Sequence, residues 1–330
     1  MATKTEWYAG TVTALSSISH IGPDGGGQNN TSYLRREKMV QSDGTVEMVP
    51  VISGNGMRGL LRDRGMWHMC GALGYGVNPD TGEVLGLSLP AFHFLFSGGT
   101  LTSVAGRGLD IDAARRVREL IPLVGVFGGA MGNQIMEGKL KIGKLLPICQ
   151  ETAHLLPEWC LDGQTGSVFD LTQQEAFTRK DDEKNERLRQ IIAPEVRGLL
   201  EAKAAEKREA KGTKDEKPDA EVGQHQQMLY YVETLAAGTR FFWELALEDV
   251  TDVEYDAFWV AMAEWARSPY IGGKSGTGHG KVKVNFRDWM AIDPNAYATS
   301  NLPGLPMGAR YQQHLRDHGA EMREMLAQWT

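Results

Sequence analysis

A chain of 330 residues, 42% hydrophobic and 23% charged, has enough apolar side chains for one large core or two smaller ones and reads as a globular protein. Its formal net charge of −7 would argue against a polyanionic partner if charge were evenly spread, but seven carboxylates crowd between Trp243 and Glu264 with no Lys or Arg among them. Three cysteines, Cys70, Cys149 and Cys160, are too few and too scattered for a zinc knuckle or a disulfide framework, so reduced thiols are expected, with no metal and no cofactor. No apolar run is long enough to span a bilayer, and the start MATKTEWYAG lacks the apolar region of a secretory signal, which points to a cytoplasmic location without a membrane partner.

The chain opens with a segment rich in Tyr, Val, Thr and Ile, residues 6 to 19, that reads as a strand. SHIGPDGGGQNN follows, with turn chemistry at almost every position, and is expected to be a mobile or ligand-ordered loop. The next strand, Val46 to Ile52, runs into SGNGMRGLLR. Gly54, Gly56 and Gly59 there match G-x-G-x-x-G, but no second parallel strand ending in an acid completes a dinucleotide unit. On the helix that follows, Met57, Leu60 and Leu61 form a buried stripe, whereas Asn55, Arg58 and Arg62 share another face. A helix terminus with two arginines behind it suits phosphate groups; the competing reading is a solvated basic face.

Further on, Asp112 caps a short helix through Leu120, and GVFGGAMGNQIMEGKLKIGKLLPIC passes from a glycine-rich turn into an alternating strand. Residues 178 to 221 hold twelve basic and twelve acidic side chains and read as a solvated helical arm or a partly disordered insertion. Phe241, Trp243, Leu245 and Leu247 then alternate along a strand. Thr251 and Glu254 form a capping box, and Tyr255, Phe258, Trp259, Met262 and Trp265 recur at helical spacing until Pro269. A final helix is expected from about Ala309 to Trp329.

Between the late helix and the strand at Val282, Val284 and Phe286 lies YIGGKSGTGHGKVKV, with five glycines, three lysines and a histidine. Its Gly-Gly-Lys-Ser core is not a nucleotide phosphate loop. Counting back from Lys274 puts Ser268 where that loop needs glycine, and the helix precedes the loop instead of following it. Basic side chains recur at Arg35/Arg36/Lys38, Arg58/Arg62/Arg64 and Lys274/Lys281/Lys283, so a local basic groove is compatible with the acidic total. One strand-and-helix unit near each end of the chain gives an α+β, ferredoxin-like expectation.

A strand into VISGNGMRGLLR, a middle FGG segment and a late helix followed by GGKSGTGHGKV, in that order, resemble the RAMP superfamily of CRISPR proteins. The segment PVISGNGMRGLLR is similar to that of the Cas-seven backbone subunits, and the length and charged insertion to their type IV branch. The resemblance covers about a third of the chain. It implies an RRM-type palm with an inserted thumb-like hairpin and a helical finger region. The expected single elaborated domain has its core in 1–70, 120–150 and 239–290, insertions at about 71–120 and 150–235, and a helical tail at 291–330. The thumb is placed at 80–108, or else at 155–178.

The resemblance also implies that copies of the chain line up along a CRISPR guide RNA and present it to a complementary target nucleic acid, DNA in the type IV reading, with other effector subunits capping the filament and a DinG-type helicase as a partner. Carried onto this sequence, Ser53, Gly54, Asn55, Met57, Arg58 and Arg62 would contact guide phosphates, with Gly272, Gly273, Lys274, Ser275 and His279 in the late loop beside them and Arg35, Arg36, Lys38 and Lys281 adding charge. Glycine-turn amides with a few cations grip phosphates without reading bases. Some type III relatives cleave target RNA with an aspartate after the first strand. Here the positions nearest YLRR are Asn29, Asn30, Thr31 and Ser32, so no nuclease activity is expected. The alternative is a RAMP-type endoribonuclease using His20 or Asp24. His314 and His318 have i, i+4 spacing but no third ligand nearby, and are read as solvated.

Overall fold

A computed structural model describes residues 2–26, 31–78, 80–99, 110–132, 134–161, 166–179, 228–287, 291–292 and 308–329. The charged run 178–221 lies outside these except at its first two residues, as do Asn29 and Asn30. The first half of the chain forms β1 (Lys4–Ala14), β2 (Ile21–Gly26), β3 (Thr31–Leu34), β4 (Arg36–Val40), β5 (Val46–Pro50), α1 (Gly54–Ala72), β6 (Gly76–Val77), β7 (Val84–Leu85), α2 (Leu89–Ser97), α3 (Ile111–Leu120), α4 (Pro122–Phe127), β8 (Gly129–Met131), β9 (Gln134–Met136), β10 (Leu140–Ile142) and β11 (Leu146–Pro147). The second half adds α5 (Val168–Leu171), β12 (Thr172–Arg179), β13 (Met228–Leu235), β14 (Arg240–Val250), α6 (Asp252–Ala266), β15 (Val282–Phe286), β16 (Ala291–Ile292) and α7 (Ala309–Ala327).

The main sheet has the order β10-β14-β1-β15-β16, with β11 also on β14. Among the described residues, all five strand pairings in it are antiparallel. Taking β1, α1, β10, β14, α6 and β15 in turn gives strand, helix, two strands, helix, strand, and the spatial order places β1 between β14 and β15. That is the ferredoxin-like arrangement. Alternation fixes which face of each strand is buried: Phe241, Trp243, Leu245 and Leu247 of β14 and Val12 and Ala14 of β1 join the core with α1 and α6.

Local chemistry sets the helix ends. Thr251 accepts from the Glu254 amide and Glu254 Oε2 accepts from the Thr251 amide at 2.8 Å, so α6 starts with both halves of the expected capping box. Gly65 lets α1 close on α6, since a Cβ there would lie 2.9 Å from Ala261 Cβ. Trp259 takes the edge of Tyr8 at 5.1 Å, and the Tyr8 and Tyr255 hydroxyls meet at 2.9 Å.

The chain divides into two compact units instead of the single elaborated domain expected. The first takes Met1–Gly25, Tyr33–Gln173 and Glu233–Thr330, the second Gly26–Ser32 and Gln174–Val232. A four-stranded sheet in the order β12-β13-β3-β2 runs through the second, with β13 parallel to β3 and Phe177 stacked on Tyr230 at 5.5 Å. The sequence TQQEAFTR of β12 carries too few apolar side chains to join a large core.

Three other segments take definite form. The stretch 19–30, expected as a loop, holds strand β2, and residues 27–30 lie outside the described set. In the expected insertion at 71–120, Phe94, Leu95, Val117 and Leu120 enter the main core. The tail helix α7 is core as well, through Tyr311, Leu315, Met322 and Leu326.

Candidate nucleic-acid interface

Helix α1 begins where the sequence places it. Ser53 caps it by accepting the Gly56 amide at 3.1 Å, and no acidic residue occupies its first turn, so the positive end of the helix is not neutralised from within. Glycine is required at Gly54, where a Cβ would lie 2.8 Å from the Ile142 carbonyl oxygen. Asn55 is exposed beside it.

The segment Leu15–His20 joins this terminus to the late glycine loop, 250 or so residues away in sequence. The Gly273 amide donates to Ser19 O at 2.7 Å and the Gly280 amide to Ser17 O at 2.8 Å. The Lys281 amide donates to Ser16 Oγ at 3.0 Å, and Ser17 Oγ meets His279 Nδ1 at 2.9 Å. One residue later, His20 Nε2 accepts the Ser53 amide at 3.1 Å, and His20 O accepts the Arg35 amide at 2.8 Å. Two glycines make the junction possible. Gly272 has φ 72° with a Cβ position 2.4 Å from Ser19 O, and Gly280 has φ 87° with one 2.2 Å from Ile271 O. Lys274 also adopts the left-handed region, at φ 60°, which a non-glycine side chain does at a cost. Ser53, Gly54 and Asn55 are thus brought to the same place as Arg35, Gly272, Gly273, Lys274, Ser275 and Lys281, all in the first unit.

Several residues assigned to phosphate contact have other roles. The Met57 side chain is 1% exposed and belongs to the core. His279 is 3% exposed, so it braces the loop from beneath and does not face a ligand. Arg58 donates to Phe127 O at 3.1 Å and to Leu140 O; Arg62 donates to Phe127 O at 2.8 Å and Gly128 O at 3.0 Å. Burial makes both guanidiniums harder to charge than usual, and the neighbouring charge of Arg58 adds to the effect on Arg62. Both arginines hold the glycine turn after α4 instead of presenting a cationic face. Arg36 forms a two-pronged pair with Glu233, 2.7 Å on one arm. Burial opposes the Glu233 charge, but the Arg36 hydrogen bond and the Leu34 amide outweigh it and hold the carboxyl below its ordinary range. Lys38 is exposed on the β4–β5 hairpin, opposite Met48.

Three of the seven carboxylates in the acidic stretch serve contacts within the fold, while Glu244, Asp249 and Asp252 are exposed. Glu254 pairs with Lys139 at 2.6 Å, Glu264 with His68 at 2.9 Å and Arg267 at 3.0 Å, and Asp256 accepts the Arg310 amide at the start of α7. His314 is not simply solvated: it meets Leu120 O at 3.0 Å, and its ring lies tilted at 42° to that of His318, 4.6 Å away. On the outer face of the main sheet, Trp159, Ile148, Leu156 and Cys160 pack over Phe242, which is therefore not an open stacking platform for bases. Sequence reasoning missed Glu233, which carries no local signal, and the role of Ser16–His20, whose only trace is the run SSISH before a glycine-rich stretch.

No family model and no curated protein gives a match to the chain. Among solved structures, a chain described as "Type IV-B CRISPR Complex" superposes with a TM-score of 0.53 at 22% identity, over 90% of this chain and 94% of that one. The two chains share a fold. The α+β palm expected from the RAMP resemblance is the fold observed, and the likeness runs through nearly the whole of both chains. No helix among the described residues is long and apolar enough to cross a membrane.

Proposed function

We propose that this chain is a guide-RNA-binding backbone subunit of a type IV, class 1 CRISPR ribonucleoprotein, which oligomerises along the guide, presents it for pairing and does not cleave nucleic acid itself. The observation that carries the reading is the junction at Leu15–His20, which sets the α1 terminus, Arg35 and the Gly272–Lys281 loop side by side on a fold shared with a chain of a type IV-B complex. Helix-terminal and glycine-turn amides with a few cations suit a phosphate chain of any sequence. Further copies of the chain, capping subunits, a complementary DNA target and a DinG-type helicase are the partners this reading calls for, and a cytoplasmic location follows from it.

The competing endoribonuclease reading needs a free general base. Without nucleic acid the His20 Nε2 lone pair is taken by the Ser53 amide, so His20 would have to be released before it could act as that base.

The deciding experiment is purification of the full chain with its bound nucleic acid, followed by native mass spectrometry and a time course with complementary RNA and Mg2+. RNA bound to several protein copies with no cleavage supports the proposal. A monomer free of nucleic acid that ignores added RNA overturns it. Cleavage abolished by Asp24→Ala moves the function to the endoribonuclease.

A further inference from the structure

His20 stands over the first turn of α1. Its Cε1 lies 3.3 Å from the position a Cβ would take on Gly56, its Nε2 accepts the Ser53 amide at 3.1 Å, and the same nitrogen is 3.2 Å from Ser53 Oγ. A nitrogen that accepts an amide carries no hydrogen, so the arrangement specifies the neutral ring with its proton on Nδ1. In that state the imidazole fills a place a phosphate oxygen would take at the helix terminus. Two more polar atoms at this junction, Ser19 Oγ and Arg35 Nε, are buried without a hydrogen-bond partner among the described residues. Ser19 precedes His20 in the chain and is fully buried, and the Arg35 amide is bonded to His20 O. The junction therefore holds one guanidinium N–H donor without an acceptor and one hydroxyl without a partner.

We propose that His20 is the positioning residue of the phosphate-binding junction, that RNA displaces its bond to Ser53, and that each RNA-bound subunit takes up a proton on His20 Nε2. This rests on the RNA-binding reading above. The proton balance is simple. A proton from solvent adds to Nε2, the ring becomes a donor at both nitrogens, and the Ser53 amide loses its acceptor. A phosphate oxygen then accepts from both the Ser53 amide and Nε2–H, turning a cation that the helix dipole disfavours into a counter-charge for the ligand. Among the described residues the charge that acts on the ring is that of Arg35, just before β4, with Glu37 3.8 Å from Arg35; α1 contributes no acid in its first turn. Burial and the Arg35 charge keep free His20 below the ordinary imidazole value, which leaves room for a bound anion to raise it. By linkage, whatever RNA does to proton affinity, protons do equally to RNA affinity.

The test compares fluorescein-labelled oligouridine binding to full-length wild type and to His20→Gln between pH 8 and pH 6 at fixed salt. Gln accepts the Ser53 amide through its carbonyl but does not titrate. Wild-type affinity is expected to rise by up to about tenfold per pH unit, the limit for one coupled proton. His20→Gln should lose that rise, its affinity at pH 6 matching its own affinity at pH 8. Nuclear magnetic resonance of the ring should show the His20 pKa moving up when RNA is added. Equal pH slopes in the two proteins, or a His20 titration indifferent to RNA, overturn the proposal and leave RNA binding intact. Absence of oligouridine binding at every pH overturns the RNA-binding reading and this proposal with it.

Discussion

Arg58 and Lys274 look alike in sequence, each a basic residue in a glycine-rich motif, but their surroundings separate them. The half-buried Arg58 guanidinium is tied to two backbone carbonyls, whereas Lys274 stands in a loop whose neighbours Gly273 and Ser275 are exposed. Removing Arg58 leaves the Leu140 carbonyl short of that donor while Phe127 O keeps its bond from Arg62, at a cost of about 1–3 kcal/mol. Arg58→Ala should therefore lower the urea midpoint markedly and change RNA affinity little at temperatures where it stays folded. Lys274→Ala should do the reverse, weakening RNA severalfold and lowering the magnitude of the salt slope by about 0.7 per subunit, the single-strand value for one phosphate contact. Urea titration and binding isotherms across a salt series on both variants check the pair. A stable Arg58→Ala with weak RNA binding would return that arginine to the interface.

Elements meet through small contacts whose balance can be calculated. Gly65 sits at the α1–α6 contact, where an added methyl would reach within 2.9 Å of Ala261 Cβ and 3.1 Å of Leu123 Cδ2. Alanine gains about 1 kcal/mol of helix propensity over glycine, while overpacking a tight core costs typically 1–3 kcal/mol. Gly65→Ala is thus expected to destabilise on balance, and a raised melting temperature would show that the contact yields more easily than its geometry implies.

Two histidines between elements add a pH dependence. Burial, and then the Arg35 charge, keeps His20 below the ordinary imidazole value. Burial also lowers His314, which faces Leu120 O at the end of α3. Both have folded-state values below their unfolded ones, so the unfolded chain binds more protons. Their contribution to stability is full above pH 6.5 and is lost as pH falls through the folded values. Urea midpoints of the protein without nucleic acid should fall between pH 7 and pH 5, and the fall should shrink in a His20→Gln/His314→Gln double variant; equal falls in both proteins would assign the effect to other groups.

At the scale of the molecule, the second unit takes Gly26–Ser32 and Gln174–Val232, and within the first the Ala236 amide donates to Leu171 O at 2.8 Å. The first unit has its own core, including α2, α3 and α7. A chain with residues 181–226 replaced by an Asn-Gly turn should unfold cooperatively with a melting temperature within a few degrees of the parent, as measured by circular dichroism. Loss of cooperative unfolding would show that the excised residues support the first unit.

The sequence by itself determined the parts of this protein that depend on nearest neighbours. Ser53 ahead of Gly54, the Thr251–Glu254 box and the alternation Phe241, Trp243, Leu245, Leu247 fix α1, α6 and β14, because capping and two-residue or 3.6-residue periodicity act over a few positions. The order of those elements, with the two glycine motifs, was enough to expect the ferredoxin-like palm. What only the tertiary structure decided was how each polar side chain is used. Arg36 and Glu233, Lys139 and Glu254, and His20 and Ser53 find each other across the fold, and whether a cation meets a carbonyl, a carboxylate or solvent depends on those distant encounters. The split into two units was decided there too, since it turns on strand pairing between residues 31–32 and 231–232, which no local pattern encodes.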